Sequence, residues 1–231
     1  PIEYQLEMIN QVQTNPKAGL TFASSLRSIL RQDPDIVMVG EIRDVETARI
    51  AVQASLTGHL VFSTLHTNDA VGAVVRLVDM GIPAYLIANS VMGVLAQRLV
   101  RTICPACQVP YEPDAEMQRQ FASQEAFRGF EFVKGKGCSE CMGTGYRRQT
   151  GLFELLVINR EIRELINAGA DSTVITEAAH DRAELRLLRE DGLDKVLRGI
   201  TTLEEVVRVT QDIEEEKEED AEAAAVPGGM A

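Results

Sequence analysis

No stretch of the 231 residues approaches the roughly 18–20 consecutive apolar residues needed to cross a bilayer. The start has no secretory signal pattern, and no internal repeat recurs along the chain. Basic charge is also in short supply. The net charge of −12 argues against bulk, nonspecific binding to nucleic acid, although a local basic patch could still meet anionic lipid. From Asp212 to Ala231 eight acids and one Lys give −7, so the remaining 211 residues carry only −5. That acidic block, followed by Ala, Pro and Gly, predicts a disordered, solvated tail over 212–231. The chain opens on Pro1 rather than Met, which suggests a piece of a longer protein. A hydrophobic fraction of 45% is enough for one large or two modest domains with a core.

Within that frame the pattern is helix–strand–helix–strand–helix. Phe22, Leu26, Ile29 and Leu30 fall at helical spacing behind Thr21, a plausible N-cap, and Pro34 ends that helix. The continuous apolar run Ile36–Val39 reads as a strand buried on both faces. A helix over Val45–Leu56 closes at Gly58, and a second strand runs over His59–Thr64. Asp69 caps a helix from Ala70 to Met80, and Pro83 opens another over Ala84–Val100. This order predicts a mostly parallel, helix-covered α/β sheet. The pattern breaks at Cys104. Residues 104–141 are polar and turn-rich, with one helical patch near 115–127, and 153–210 read as helical with breaks at Gly169, Gly192 and Gly199.

All four cysteines fall in two pairs, Cys104-x-x-Cys107 and Cys138-x-x-Cys141, 30 residues apart. Two such knuckles can turn four thiolates onto one tetrahedral Zn²⁺. Two disulfides, or redox or iron–sulfur use, are the alternatives; nothing else in the chain points to an oxidising compartment. Four thiolates leave no open position, so a zinc here would be structural rather than catalytic.

Both predicted strands end in groups capable of chemistry. The first leads into Gly40-Glu41-Ile42-Arg43-Asp44, the second into Ser63-Thr64-Leu65-His66-Thr67-Asn68. An acid at the carboxyl end of a strand can hold Mg²⁺ or position an attacking water. Gly40 would let the backbone approach a ligand, and His66 could bond a terminal phosphate. The plain alternatives are an acid interacting with a helix dipole and a structural histidine. Arg27 and Arg31 share a helix face, which more often means a solvated stripe than a phosphate contact. Arg43 and Asp44 could pair with each other or across a subunit interface. His180 carries no functional assignment. No G-x-x-x-x-G-K-[ST] loop, whose backbone N–H groups cradle phosphates, occurs among the 231 residues. The residues alone thus offer half of a nucleotide site.

These residues resemble the secretion ATPases of type II secretion and type IV pilus assembly. The run Asp33–Asp44 is similar to that family's Walker B segment, Thr57–Asn68 to its His box, and the four cysteines to its tetracysteine zinc motif. The likeness continues through Thr144-Gly145-Tyr146, Thr150-Gly151-Leu152-Phe153-Glu154, Leu188-Arg189-Glu190-Asp191-Gly192 and Thr202-Leu203-Glu204-Glu205-Val206, covering about residues 1–210. Pro1-Ile2-Glu3 resembles the end of the family's Asp box, which would put the Walker A loop and the N-terminal docking domains upstream.

The resemblance implies a partial RecA-like P-loop ATPase core over 1–103, lacking its Walker A part. A tetracysteine zinc segment over 104–141, a C-terminal helical subdomain over 142–211 and the acidic tail would follow. It implies ATP and Mg²⁺ as cofactors, with Glu41 as the Walker B acid, His66 near the phosphate, His59 as its partner, and Gly40, Glu41 and Arg43 facing the nucleotide. Cys104, Cys107, Cys138 and Cys141 would hold Zn²⁺. A homo-hexamer working with inner-membrane platform proteins, cytoplasmic and peripheral at that membrane, and with no specific nucleic acid, completes the expectation. The tetracysteine segment favours assembly or secretion over pilus retraction, and the wording of 151–157 leans toward type II secretion. Two other function classes compete: a zinc-stabilised, non-catalytic module docking to a membrane platform, and a zinc nucleic-acid binder, which the net charge disfavours.

Overall fold

Side-chain caps set the ends of the first helices. In the computed structural model, which describes residues 2–121, 127–182 and 185–210, Thr21 accepts the Ser24 N–H at 3.2 Å and starts α1, Phe22–Leu30. Asp44 accepts the Thr47 N–H at 2.7 Å and starts α2, Val45–Leu56. Asp69 accepts the Gly72 N–H at 2.6 Å and starts α3, Ala70–Asp79. The short β1, Ile36–Val39, and β2, Leu60–Ser63, lie parallel, with Ile36 opposite Leu60 and Val39 opposite Ser63. Pro1, the middle of the segment 115–127 and the acidic tail over 212–231 lie outside the described residues.

The chain divides into two units, Pro1–Val94 with Leu156–Leu185, and Leu95–Leu155 with Arg186–Ala231. In the first, Val37 and Val39 are buried against Ala23 and Leu26 of α1 and Ile50 and Ala51 of α2. Both helices use the same face of β1. The expectation that β1 is buried on both sides is therefore wrong: Ile36 and Met38 are 62% and 72% exposed. Leu60 and Phe62, their partners in register, are exposed with them. A face is buried only where an element covers it, and among the described residues none covers this one. The first unit also holds α4, Ala84–Ser90, and α6 and α7, Arg160–Ala168 and Ser172–Arg182. Here α4 packs on α6 and α3 on α7, and Ile87, Ile162 and Ile166 are buried.

Two further helix expectations are corrected. The helix from Ala84 stops at Ser90, Val91 turns extended, and Gly93–Ile103 is strand β3. From Leu95 onward its exposure alternates, with Leu95, Gln97 and Leu99 out and Ala96, Arg98 and Val100 further in, the period of a half-buried strand. Its partner is β6, Tyr146–Val157, so residues 153–157 are strand as well. There Leu152, Glu154 and Leu156 are buried while Phe153 and Leu155 face outward. Pairing between segments some fifty residues apart overrides the local helical reading.

In the second unit a small antiparallel ladder, β4 over Gln108–Pro110 and β5 over Val133–Gly135, sits beside the cysteines. Helix α5, Ala115–Gln120, realises the first part of the expected helical patch. Helix α8, Leu188–Leu197, and a helix α9 over 203–210 pack Leu193, Val196, Leu203 and Val206 with Phe121. Buried acids anchor these elements: Glu154 accepts the Leu188 N–H at 3.1 Å and Asp191 accepts the Phe153 N–H at 2.9 Å. Glu205 accepts the Arg101 N–H at 2.9 Å and its guanidinium at 2.6 Å, with Arg208 adding two bonds at 3.0 Å.

Candidate active site and metal centre

Glu41 and His66 meet because their strands are neighbours. Past the end of β1 the Ile42 N–H donates to the Thr64 carbonyl at 3.0 Å, and the Thr64 hydroxyl donates to the Gly40 carbonyl at 2.7 Å. These bonds continue the β1–β2 pairing into the loops and bring residues 25 apart in sequence together. The Glu41 carboxylate accepts the Arg43 Nε–H at 2.6 Å and lies 3.3 Å from His66 Nε2. The Glu41 side chain is 13% exposed; those of Arg43 and His66 are 68% and 85% exposed. The Arg43 hydrogen bond, opposed by desolvation and helped by His66, holds the Glu41 carboxyl below its ordinary value. A methyl group added at Gly40 would touch only the Phe22 ring, at 3.8 Å, so the backbone there is open to a ligand.

Beside the trio is a concavity of 320 Å³ lined by Ile42, Arg43, Leu65, His66 and Arg76. Two guanidinium groups and an imidazole around a small space suit an anion. Arg76 was not evident in the sequence; it lies on α3, two turns past the Asp69 cap, and no local motif marks it. His59 is not part of this group. It precedes β2 while His66 follows it, a span of roughly 3.3 Å per residue. Its Nδ1 lies 3.0 Å from the Ala54 carbonyl and 3.2 Å from the Thr57 hydroxyl, which fastens the α2–β2 turn. Arg27 is spent on a surface ion pair with Glu46 of α2 at 2.5 Å, the plain reading of that stripe.

The four cysteines converge. Their sulfurs all lie within 4.8 Å of one another. Three separations are below 4 Å: Cys104 to Cys138 at 3.9 Å, Cys107 to Cys141 at 3.8 Å and Cys138 to Cys141 at 3.7 Å. A zinc–sulfur tetrahedron with bonds of about 2.3 Å has edges of about 3.8 Å, so the donor set and its spacing both fit Zn²⁺. None of the sulfurs is bonded to another, as the disulfide alternative would require. The Cys138 and Gly145 N–H groups donate to the Cys141 sulfur at 3.1 and 3.3 Å. Against the burial that raises it, these donors pull the Cys141 thiol down to about 6, while burial pushes Cys107 up to about 12. The knuckles are locked by close backbone contact. A Cβ on Gly135 would lie 2.0 Å from the Gly145 carbonyl oxygen, and one on Gly137 would lie 2.6 Å from that of Gly143.

The profile of the family described as Type II/IV secretion system protein matches residues 1–208. The chain is 56% identical over 212 residues to the Type II secretion system ATPase E of Vibrio cholerae, covering 92% of this chain and 42% of that protein. It is 54% identical over 211 residues to the Type IV pilus assembly ATPase PilB of Thermus thermophilus, covering 91% of this chain and 24% of that one. The chain therefore spans less than half the length of these relatives. Among solved structures it resembles the pilus retraction motor PilT with bound ADP, with a TM-score of 0.57 and 27% identity over 82% of this chain and 43% of the other. The ATPase DotB of Legionella pneumophila gives a TM-score of 0.61 at 24% identity, over 92% of this chain and 50% of the other, and shares the fold. Among the described residues no helix is long and apolar enough to cross a membrane.

Proposed function

The chain belongs to the type II/IV secretion system protein family, and we propose that it supplies the acid and imidazole half of an ATP site in a motor that drives pseudopilus or pilus assembly. The observation that carries this reading is the Glu41 carboxylate at the end of β1, held between Arg43 at 2.6 Å and His66 at 3.3 Å. A carboxylate kept ionised by a guanidinium suits an inner-sphere or water-bridged Mg²⁺ ligand, or the orientation of an attacking water. Bound Mg²⁺ and ATP would supply the transferable phosphoryl group and the charge that offsets it. Gly40 leaves backbone room, and Arg43, His66 and Arg76, which line the concavity, would hold a terminal phosphate as donors. His59 holds the α2–β2 turn and acts on the site only through β2.

In this reading residues 1–103 carry the nucleotide-facing groups, 104–141 the structural zinc, and 142–211 the C-terminal subdomain. The whole protein works as a homo-hexamer at the cytoplasmic face of the inner membrane with membrane-embedded platform proteins. The family match supports secretion or pilus assembly, and the intact tetracysteine cluster supports the assembly side over retraction. The test is Glu41→Gln in a full-length protein carrying this segment. ATP turnover should fall by at least about 100-fold while equilibrium binding of ATP changes little. Turnover within a few-fold of the parent would reject the assignment of Glu41.

A further inference from the structure

The four cysteines of the cluster differ in exposure. Cys104, Cys107 and Cys141 are 0%, 3% and 4% exposed, and only Cys138 is partly open to solvent. Cys138 and Cys141 each make two of the short sulfur contacts, Cys138 with Cys104 at 3.9 Å and Cys141 with Cys107 at 3.8 Å besides their own at 3.7 Å, and of these two only Cys138 is partly exposed. Main-chain bonds hold the two knuckles face to face independently of the sulfurs. The Cys104 N–H donates to the Gly145 carbonyl at 2.9 Å, and the Lys136 N–H donates to the Cys107 carbonyl at 3.0 Å. The β4–β5 ladder joins the segments that flank them. Thiols held this way stay opposite one another when no ion binds them.

Resting on the zinc reading above, we propose that Cys138 is an oxidation site through which a peroxide converts the cluster into two disulfides that bridge the knuckles, Cys104–Cys138 and Cys107–Cys141. The Cys138 thiolate attacks one oxygen of hydrogen peroxide; the O–O bond breaks, hydroxide leaves, and Cys138 becomes a sulfenic acid. The Cys104 thiolate then attacks that sulfur, an S–S bond forms, the S–O bond breaks, and a second hydroxide leaves. Two protons from solvent turn both hydroxides into water, so two electrons pass from sulfur to one peroxide. A second peroxide oxidises Cys107 and Cys141 by the same steps, and the chain gives up its ion. The bridging pairs are favoured because their contacts, 3.9 and 3.8 Å, together use every sulfur once. In a reducing compartment thiol exchange returns the cluster to its metal-binding form, which makes the site a reversible sensor of peroxide.

The experiment uses the whole chain, purified with its metal quantified, then exposed to hydrogen peroxide beside a chromogenic zinc chelator. Samples are trapped with dimedone at early times and mapped as unreduced peptides at the end. The expected result is a first dimedone adduct on Cys138, one equivalent of zinc released per chain, and both bridging disulfide peptides. Dithiothreitol with added zinc should restore the starting metal content. Zinc retained under excess peroxide, a first adduct on another cysteine, or disulfides confined to Cys138–Cys141 would overturn the oxidation site and leave the structural zinc standing. A chain that neither carries nor takes up zinc would overturn both.

Discussion

Glu41, Arg43 and His66 form an ion-paired trio whose proposed role in catalysis rests on the ionisation of one carboxylate. The strongest bond to the Glu41 carboxylate comes from Arg43, two residues along, on a side chain that is otherwise exposed. If that bond sets the ionisation of Glu41, Arg43→Gln should raise its pKa. Protonation would then begin nearer the ordinary 4.5 and the carboxylate would be lost at a higher pH than in the parent. Titration of the Glu41 side-chain carbon resonance checks this on the chain itself; an unmoved midpoint would mean that Arg43 is only a surface partner. The sequence made Glu41 and His66 legible because each follows an apolar strand, where α/β enzymes present polar groups. It could not place Arg76, which enters the site through a helix, and it could not separate His59 from His66. Both histidines bracket one strand, and only the pairing of β1 with β2 shows which end carries the acid.

At the scale of elements, what was legible was local and what was missed was not. Caps at Thr21 and Asp69 are read from one turn of sequence, and the structure keeps them. Strands β3 and β6 exist because each has the other, and their apolar alternation is shared with helical spacing over a few residues. The packing of α8 gives a sharper test of the same contrast. Gly192 sits inside that helix, where replacing it with Ala should add about 1 kcal/mol of helix propensity. The new Cβ would lie 2.5 Å from Cγ1 and 2.9 Å from Cγ2 of Val206, and a β-branched side chain has little freedom to turn away. Overpacking of this kind costs about 1–3 kcal/mol, so Gly192→Ala should lower the thermal midpoint; a rise would show that α9 yields.

Glu205 ties α9 to β3 and carries a pH signature. Although burial raises it, bonds from Arg101 and Arg208 pull its carboxyl down to about 2. A folded-state pKa below the unfolded value contributes stability above the unfolded pKa, and that contribution is lost as pH falls through the folded one. The window is therefore from about 4.5 down to about 2, and the stabilisation above it is of the order of 3 kcal/mol at most. Glu205→Gln should destabilise the chain near neutral pH and flatten its loss of stability across that window in denaturant titrations. Parallel acid curves for the two proteins would remove Glu205 from the account.

For the whole molecule the decisive absence is chemical. The chain has an imidazole and two guanidinium groups around a 320 Å³ concavity, with the Glu41 carboxylate bonded to two of them, yet none of its 231 residues forms a G-x-x-x-x-G-K-[ST] loop. Binding the triphosphate and aligning its terminal group depend on donors that wrap the phosphates; positioning and electrostatic stabilisation do nearly all the work in phosphoryl transfer. In the proposed role Glu41 would orient a water, but without a cradle the phosphorus has no fixed place for that water to attack. The open face of β1 and β2, with Ile36, Met38 and Phe62 exposed, adds no polar donors to compensate. The purified chain should therefore release phosphate from ATP at the background rate, with Mg²⁺ and zinc present, and Glu41→Gln should change nothing in that assay. The same substitution should abolish turnover in a full-length protein. Robust hydrolysis by the chain alone, sensitive to Glu41→Gln, would mean that the acid half builds its own phosphate site, and the division of labour proposed for this segment would fail.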